Sequence, residues 1–138
     1  MKKIVLVVED NALNLELVTD LLEAAGYTVC HASTADEAFR AAFELSPDLI
    51  LMDVSLPGLD GLAATRVLKT DPATRHLTIV ALTAHAMKGD EALALRAGCA
   101  GYLAKPIDTR TFAAKVAAFI DASGSRLAEP PATCEYAN

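Results

Sequence analysis

Acidic, hydroxyl and basic side chains stand at the ends of short apolar runs in a pattern that could do chemistry. Glu9 and Asp10 follow Ile4–Val8, Asp53 follows Leu49–Met52, Thr83 follows Ile79–Leu82, and Lys105 follows Gly101–Ala104. Three carboxylates gathered in one place raise one another's pKa unless a cation sits among them. A hard divalent ion held by carboxylates and water, with positions left for phosphate oxygens, describes Mg2+. Lys105 adds a fixed positive charge and Thr83 a hydroxyl donor. Cation, ammonium and hydroxyl together suit a dianionic phosphoryl group carried on a carboxylate nucleophile. Any one of these residues is explained well enough as the cap of a buried strand. Five of them, each at a strand end, are not.

For the five to meet, the apolar runs must be strands of one sheet. Ile4–Val8, Leu49–Met52 and Ile79–Leu82 are short and continuous, as strands buried on both faces are. Thr28–His31 and Gly101–Ala104 are weaker candidates. Helical spacing fills the gaps. Leu13, Leu17, Val18, Leu21, Leu22 and Ala25 share one helical face, with Gly26 placed to stop the helix. Ala35, Ala38, Phe39 and Ala42 repeat the pattern behind a Thr34 cap. Further helices are expected from Asp60 to about Lys69, from about Ala86 to Ala97, and through Phe112, Val116, Phe119 and Ile120 after Asp108. Strand–helix alternation repeated five times predicts an α/β fold: a doubly wound (βα)5 sandwich around a five-stranded parallel sheet. A closed barrel of this type needs ~250 residues. In the open sheet the carboxyl ends of all strands lie along one edge, so the polar residues converge there.

Composition agrees with one globular domain: 138 residues, 53% hydrophobic and 22% charged. The net charge of −6, with no basic stripe, argues against direct nucleic-acid contact. The apolar run after Met1-Lys2-Lys3 stops at Glu9, short of the ~7 residues of a signal-peptide core. No stretch approaches the ~18 apolar residues of a membrane span. A cytoplasmic location is expected, with Cys30, Cys99 and Cys134 as free thiols, since their spacing fits no zinc or redox pattern. Residues 122–138, with Ser123-Gly124-Ser125 and Pro130-Pro131, read as a flexible tail after a domain spanning 1–121.

Four ordered blocks then resemble the receiver domain of two-component response regulators: VVEDN at Val7–Asn11, DLILMDVSLPGLDG at Asp48–Gly61, IVALTAHAM at Ile79–Met87 and GYLAKPI at Gly101–Ile107. The resemblance implies a flavodoxin-like sheet of order 2-1-3-4-5, an order that periodicity alone does not supply. It implies that Asp53 accepts the phosphoryl group. Mg2+ would be held by Asp10, Asp53 and the backbone carbonyl of Ser55, with Glu9 reaching the ion through water. Lys105 would meet the phosphoryl oxygens, while Thr83 and Tyr102 would move together as a switch. Lys105-Pro106 matches the family's cis peptide. Pro57, Gly58 and Gly61 match the loop after the acceptor. A histidine kinase or histidine phosphotransfer protein would be the donor, and an output protein would dock on the fourth helix, fifth strand and fifth helix. The stretches EDNALNLELVTDLLEAAGY and TAHAMKGDE resemble short single-domain regulators of alphaproteobacterial cell-cycle control.

Alternatives remain at this point. An aspartate-nucleophile phosphohydrolase usually has a second acid two residues after the nucleophile, and Ser55 stands there. Ser55 and His85 are therefore read as tuning residues in a slow, non-enzymatic acceptor. A pseudo-receiver would have lost an acid, the lysine or the acceptor, and none is lost. Met1 close to the first strand and the absence of a following domain lead us to expect a short single-domain protein, not a receiver cut from a hybrid kinase. His31 and His76 read as ordinary strand-end or loop histidines.

Overall fold

The alternation of apolar runs and helical periods produces ten elements in the computed structural model, which describes residues 3–54, 61–83, 88–105 and 107–122. In chain order they are β1 (Ile4–Val8), α1 (Ala12–Ala24), β2 (Thr28–Ala32), α2 (Ala35–Leu45), β3 (Leu49–Asp53), α3 (Gly61–Thr70), β4 (Ile79–Thr83), α4 (Lys88–Ala97), β5 (Gly101–Ala104) and α5 (Phe112–Ala122). All strand pairs are parallel, in the order β2-β1-β3-β4-β5. The expected fold class is therefore the observed one. Asp60, expected to cap α3, lies outside the described residues, as do 84–87 before α4 and 123–138 of the expected tail.

Successive side chains of a strand point to opposite faces, and the core divides by that parity. Ile4, Leu6 and Val8 of β1 join Ile50, Met52, Ile79 and Ala81 under α2, α3 and α4. Val5 and Val7 join Leu49, Leu51, Val80 and Leu82 under α1 and α5, where Val18, Leu22, Phe112, Val116 and Ile120 cover them. Every residue of β1, β3 and β4 is buried. The face that α2 turns to the sheet is built from Ala35, Ala38, Ala41 and Ala42, closed by Leu45. Small side chains let that helix lie close over β1 and β2.

Caps form where residue types require them. Asn11 Oδ1 accepts from the Leu13 and Asn14 amides at 3.0 and 3.1 Å. Thr34 Oγ1 accepts from the Glu37 amide at 3.2 Å, as expected, and Glu37 Oε1 accepts in return from the Ser33 amide at 2.8 Å. Gly26 and Gly98 adopt φ of 96° and 111° and end α1 and α4 at a left-handed turn that side chains disfavour. Asp48 Oδ2 accepts from the Ile4 amide at 2.8 Å, tying the start of β3 to β1.

One reading is refined by the structure and one is corrected. The apolar residues of α1 do not all face the core: Leu13 is 78% exposed and Leu17 37%. At 3.6 residues per turn the six positions from Leu13 to Ala25 cover about half the circumference, and the sheet takes only the arc around Val18 and Leu22. The cysteines are also not uniformly free. Cys99 is a free, buried thiol, whereas Cys30 in β2 is disulfide-bonded; Cys134 lies outside the described residues. Spacing rules find ligand motifs, not cysteines that a fold brings together. No helix among the described residues is long and apolar enough to cross a membrane.

Ile50 is wholly buried in the central strand. Ile50→Ala is expected to lower unfolding free energy by about 2–5 kcal/mol. Urea titration checks this, and a loss well below that range would mean the core is not packed as described.

Candidate functional site

Two strands deliver the acids to one edge. Glu9 and Asp10 leave the end of β1, next to Asp53 at the last position of β3. Their carboxylate oxygens lie within 4.8 Å of one another. Glu9 is 1% exposed and Asp53 3%, while Asp10 faces solvent. Lys105, just beyond β5, reaches across two strands. Its Nζ lies 2.7 Å from Glu9 Oε1 and 3.3 Å from Asp53 Oδ1. The sheet register makes this possible: Asp53 pairs with Leu82, Thr83 pairs with Ala104, and the Lys105 amide donates to the Thr83 carbonyl at 2.7 Å. Thr83 is buried at the end of β4.

The electrostatics follow from this placement. Burial, reinforced by the Asp53 carboxyl, pushes the Glu9 carboxyl from 4.5 to about 7, against the pull of Lys105. Burial disfavours the Lys105 ammonium, but its bond to Glu9 and the charges of Asp53 and Glu9 outweigh that, and its pKa ends above the ordinary value. The Asn11 amide donates to the second Glu9 oxygen at 3.3 Å. The donor set Glu9, Asp10 and Asp53 is entirely carboxylate oxygen, suited to a hard divalent cation.

Glu9, Asp10, Asp53 and Lys105 are thus brought together as the sequence predicts, with Thr83 ending the neighbouring strand. Tyr102, the second residue of β5, is half-buried against the cluster under α3 and α4. Ser55, Pro57, Gly58, His85 and Pro106 lie outside the described residues. Two residues gain importance that sequence reasoning missed. Gly61 was matched only as a loop position, and Thr65 was not singled out. A threonine four residues after a glycine at a helix start is the signal available, because a helical threonine can return a hydrogen bond to that carbonyl.

A parallel doubly wound sheet with an acidic cluster and a lysine along its carboxyl edge defines the class of protein to which this chain belongs. Residues 5–117 match the response regulator receiver domain family, and the chain is a member of it. It is 44% identical over 120 residues to the polar-differentiation response regulators DivK of Brucella ovis and Brucella anthropi, covering 87% of this chain and 98% of each relative. Among solved structures, a putative response regulator from Chloroflexus aurantiacus superposes with a TM-score of 0.84 at 30% identity, over 88% of this chain and 99% of that one. The receiver domain of a sensor histidine kinase from Pseudomonas aeruginosa superposes with a TM-score of 0.80 at 36% identity, over the same shares. That receiver was solved with a magnesium ion coordinated in its active-site cleft.

The Glu9 shift has a testable sign. Its folded pKa lies above the unfolded one, so the stability it contributes is complete below pH 4.5 and is lost as pH rises through about 7. In chelator, wild type should lose stability relative to Glu9→Gln across that window. Urea titrations of both proteins at several pH values measure the difference; a pH-independent gap would contradict the buried-acid account.

Proposed function

We propose that this chain is a phosphorylation-dependent signalling switch whose acceptor is Asp53. The observation that carries the proposal is the position of the Asp53 carboxylate: at a strand end, nearly buried, 3.3 Å from the Lys105 ammonium and beside Glu9 and Asp10. An Asp53 oxygen attacks phosphorus, the bond from phosphorus to a donor imidazole breaks, and the imidazole leaves with the electron pair. The donor is a histidine kinase or a histidine phosphotransfer protein.

Asp10 and Asp53, with the Ser55 carbonyl and with Glu9 reaching the ion through water, would hold Mg2+, which when bound neutralises the charge on the transferred group. Lys105 changes partner. It is closer to Glu9 before transfer, and a phosphoryl group, at about −2 charge, draws the ammonium toward Asp53. The Thr83 hydroxyl turns to the phosphoryl oxygens and Tyr102 follows inward, changing the surface of α4, β5 and α5, where the output partner docks. Ser55 supplies no general acid for turnover, so the aspartyl phosphate persists as a signal. His85, two residues after Thr83 in the sequence, tunes access to the acceptor. The similarity to DivK and the Mg2+-bearing receiver support this reading.

Incubation with Mg2+ and acetyl phosphate should give one phosphoryl adduct by intact mass. Asp53→Asn should abolish it, and EDTA should lower labelling of wild type by at least about tenfold, the loss expected when the stabilising charge is removed. Full labelling of the asparagine variant would sink the assignment.

Thr83→Ala is expected to separate chemistry from switching. The variant should still be labelled, but the amide shift changes that phosphorylation spreads into β5 should shrink. Equal spreading in both proteins would remove Thr83 from the switch.

A further inference from the structure

We infer that Thr65, acting through Gly61, is a positioning residue for the phosphoacceptor, an inference that rests on the reading of Asp53 given above. Gly61 opens α3 directly against the backbone of Asp53. A Cβ on Gly61 would lie 2.8 Å from the Asp53 carbonyl carbon and 3.0 Å from the Val54 Cα, and closer still to the Asp53 carbonyl oxygen. No side chain fits unless the Asp53 main chain moves. The Gly61 amide donates to the Val54 carbonyl at 3.1 Å. On its other side the Val54 amide donates to the Leu82 carbonyl at 3.0 Å. Val54, the residue that follows the acceptor, is therefore held between β4 and the first residue of α3.

Gly61 has no side chain to anchor itself, and Thr65 does that for it. Thr65 is 0% exposed, and its Oγ1 donates to the Gly61 carbonyl at 2.8 Å. A helical threonine that bonds back to the preceding turn bends the helix slightly and fixes the orientation of that peptide. The same oxygen accepts a weak bond from Cys99 Sγ at 3.9 Å, so its rotamer is held from the segment between α4 and β5 as well. The hydroxyl is the middle of a polar chain that runs from Cys99 through Thr65 and Gly61 to the carbonyl of Val54, the residue bonded to Asp53. Its function is to hold the acceptor carboxylate at its distance from Lys105 and beside Glu9 and Asp10. Small displacements matter here: a misplacement of about 1 Å can cost about a hundredfold in rate.

The test compares Thr65→Val, which keeps the shape and removes the hydroxyl, with Thr65→Ser, which keeps the hydroxyl and removes a methyl. Each is labelled from acetyl phosphate at a temperature where circular dichroism shows it fully folded. Thr65→Val should slow labelling about tenfold, part of the loss that misplacement brings, while Thr65→Ser stays within about twofold of wild type. In metal-free, unphosphorylated protein, Thr65→Val should move the Asp53 and Val54 amide resonances and Thr65→Ser should leave them in place. Labelling of Thr65→Val at the wild-type rate, equal slowing in the serine variant, or unmoved amides would each overturn the proposal. If wild type takes no label at Asp53, the proposed function fails, and the amide resonances alone decide whether Thr65 positions that residue.

Discussion

Like charges that cannot leave one another set the terms for the whole molecule. Glu9 and Asp53 are nearly buried, Asp10 sits beside them, and their oxygens lie within 4.8 Å. The described residues place one ammonium among them, and it favours Glu9 at 2.7 Å over Asp53 at 3.3 Å. Burial shifts the Glu9 carboxyl toward its neutral form, while the bond to Glu9 and the charges of Asp53 and Glu9 keep the Lys105 ammonium charged against its own burial. Such a cluster carries an energetic penalty in the absence of compensating charge, and only a stiff scaffold keeps it from spreading apart.

The scaffold meets that demand by burying its sheet on both sides. With every residue of β1, β3 and β4 out of solvent, the strands that carry the acids have little room to slide. A one-residue slip would exchange the two core faces entirely. Alanines under α2 bring that helix close, and Gly101 does the same at the other edge: a Cβ there would lie 2.6 Å from the Phe119 ring. Tight contact at both edges fixes where β1 and β5 end, and so where Glu9 and Lys105 begin.

Much of this was legible beforehand because the central strands are unbroken apolar runs that stop abruptly at a polar residue. Asp53 after Leu49–Met52 is such a stop, as is Thr83 after Ile79–Leu82. The strand order was legible only through resemblance, since periodicity carries no information about which strands are neighbours. The exposure of Leu13 and Leu17 was not legible, because apolar character does not say which arc of a helix meets the sheet. Cys30 was misjudged because pairing depends on tertiary approach. The closeness of Gly61 to Asp53, and the part of Thr65 in it, stayed hidden because a contact between backbone atoms leaves no mark on residue type beyond the glycine itself.

The span between Glu9 and Lys105, 96 residues along the chain, also has a bearing on synthesis. Translation proceeds from the amino end, so all three acids emerge from the ribosome well before the lysine does. Until β5 has paired with β4, the growing polypeptide holds mutually repelling carboxylates and no ammonium to gather them. Pairing of β5 therefore completes the cluster, and a chain that stops short of Lys105 carries no assembled site.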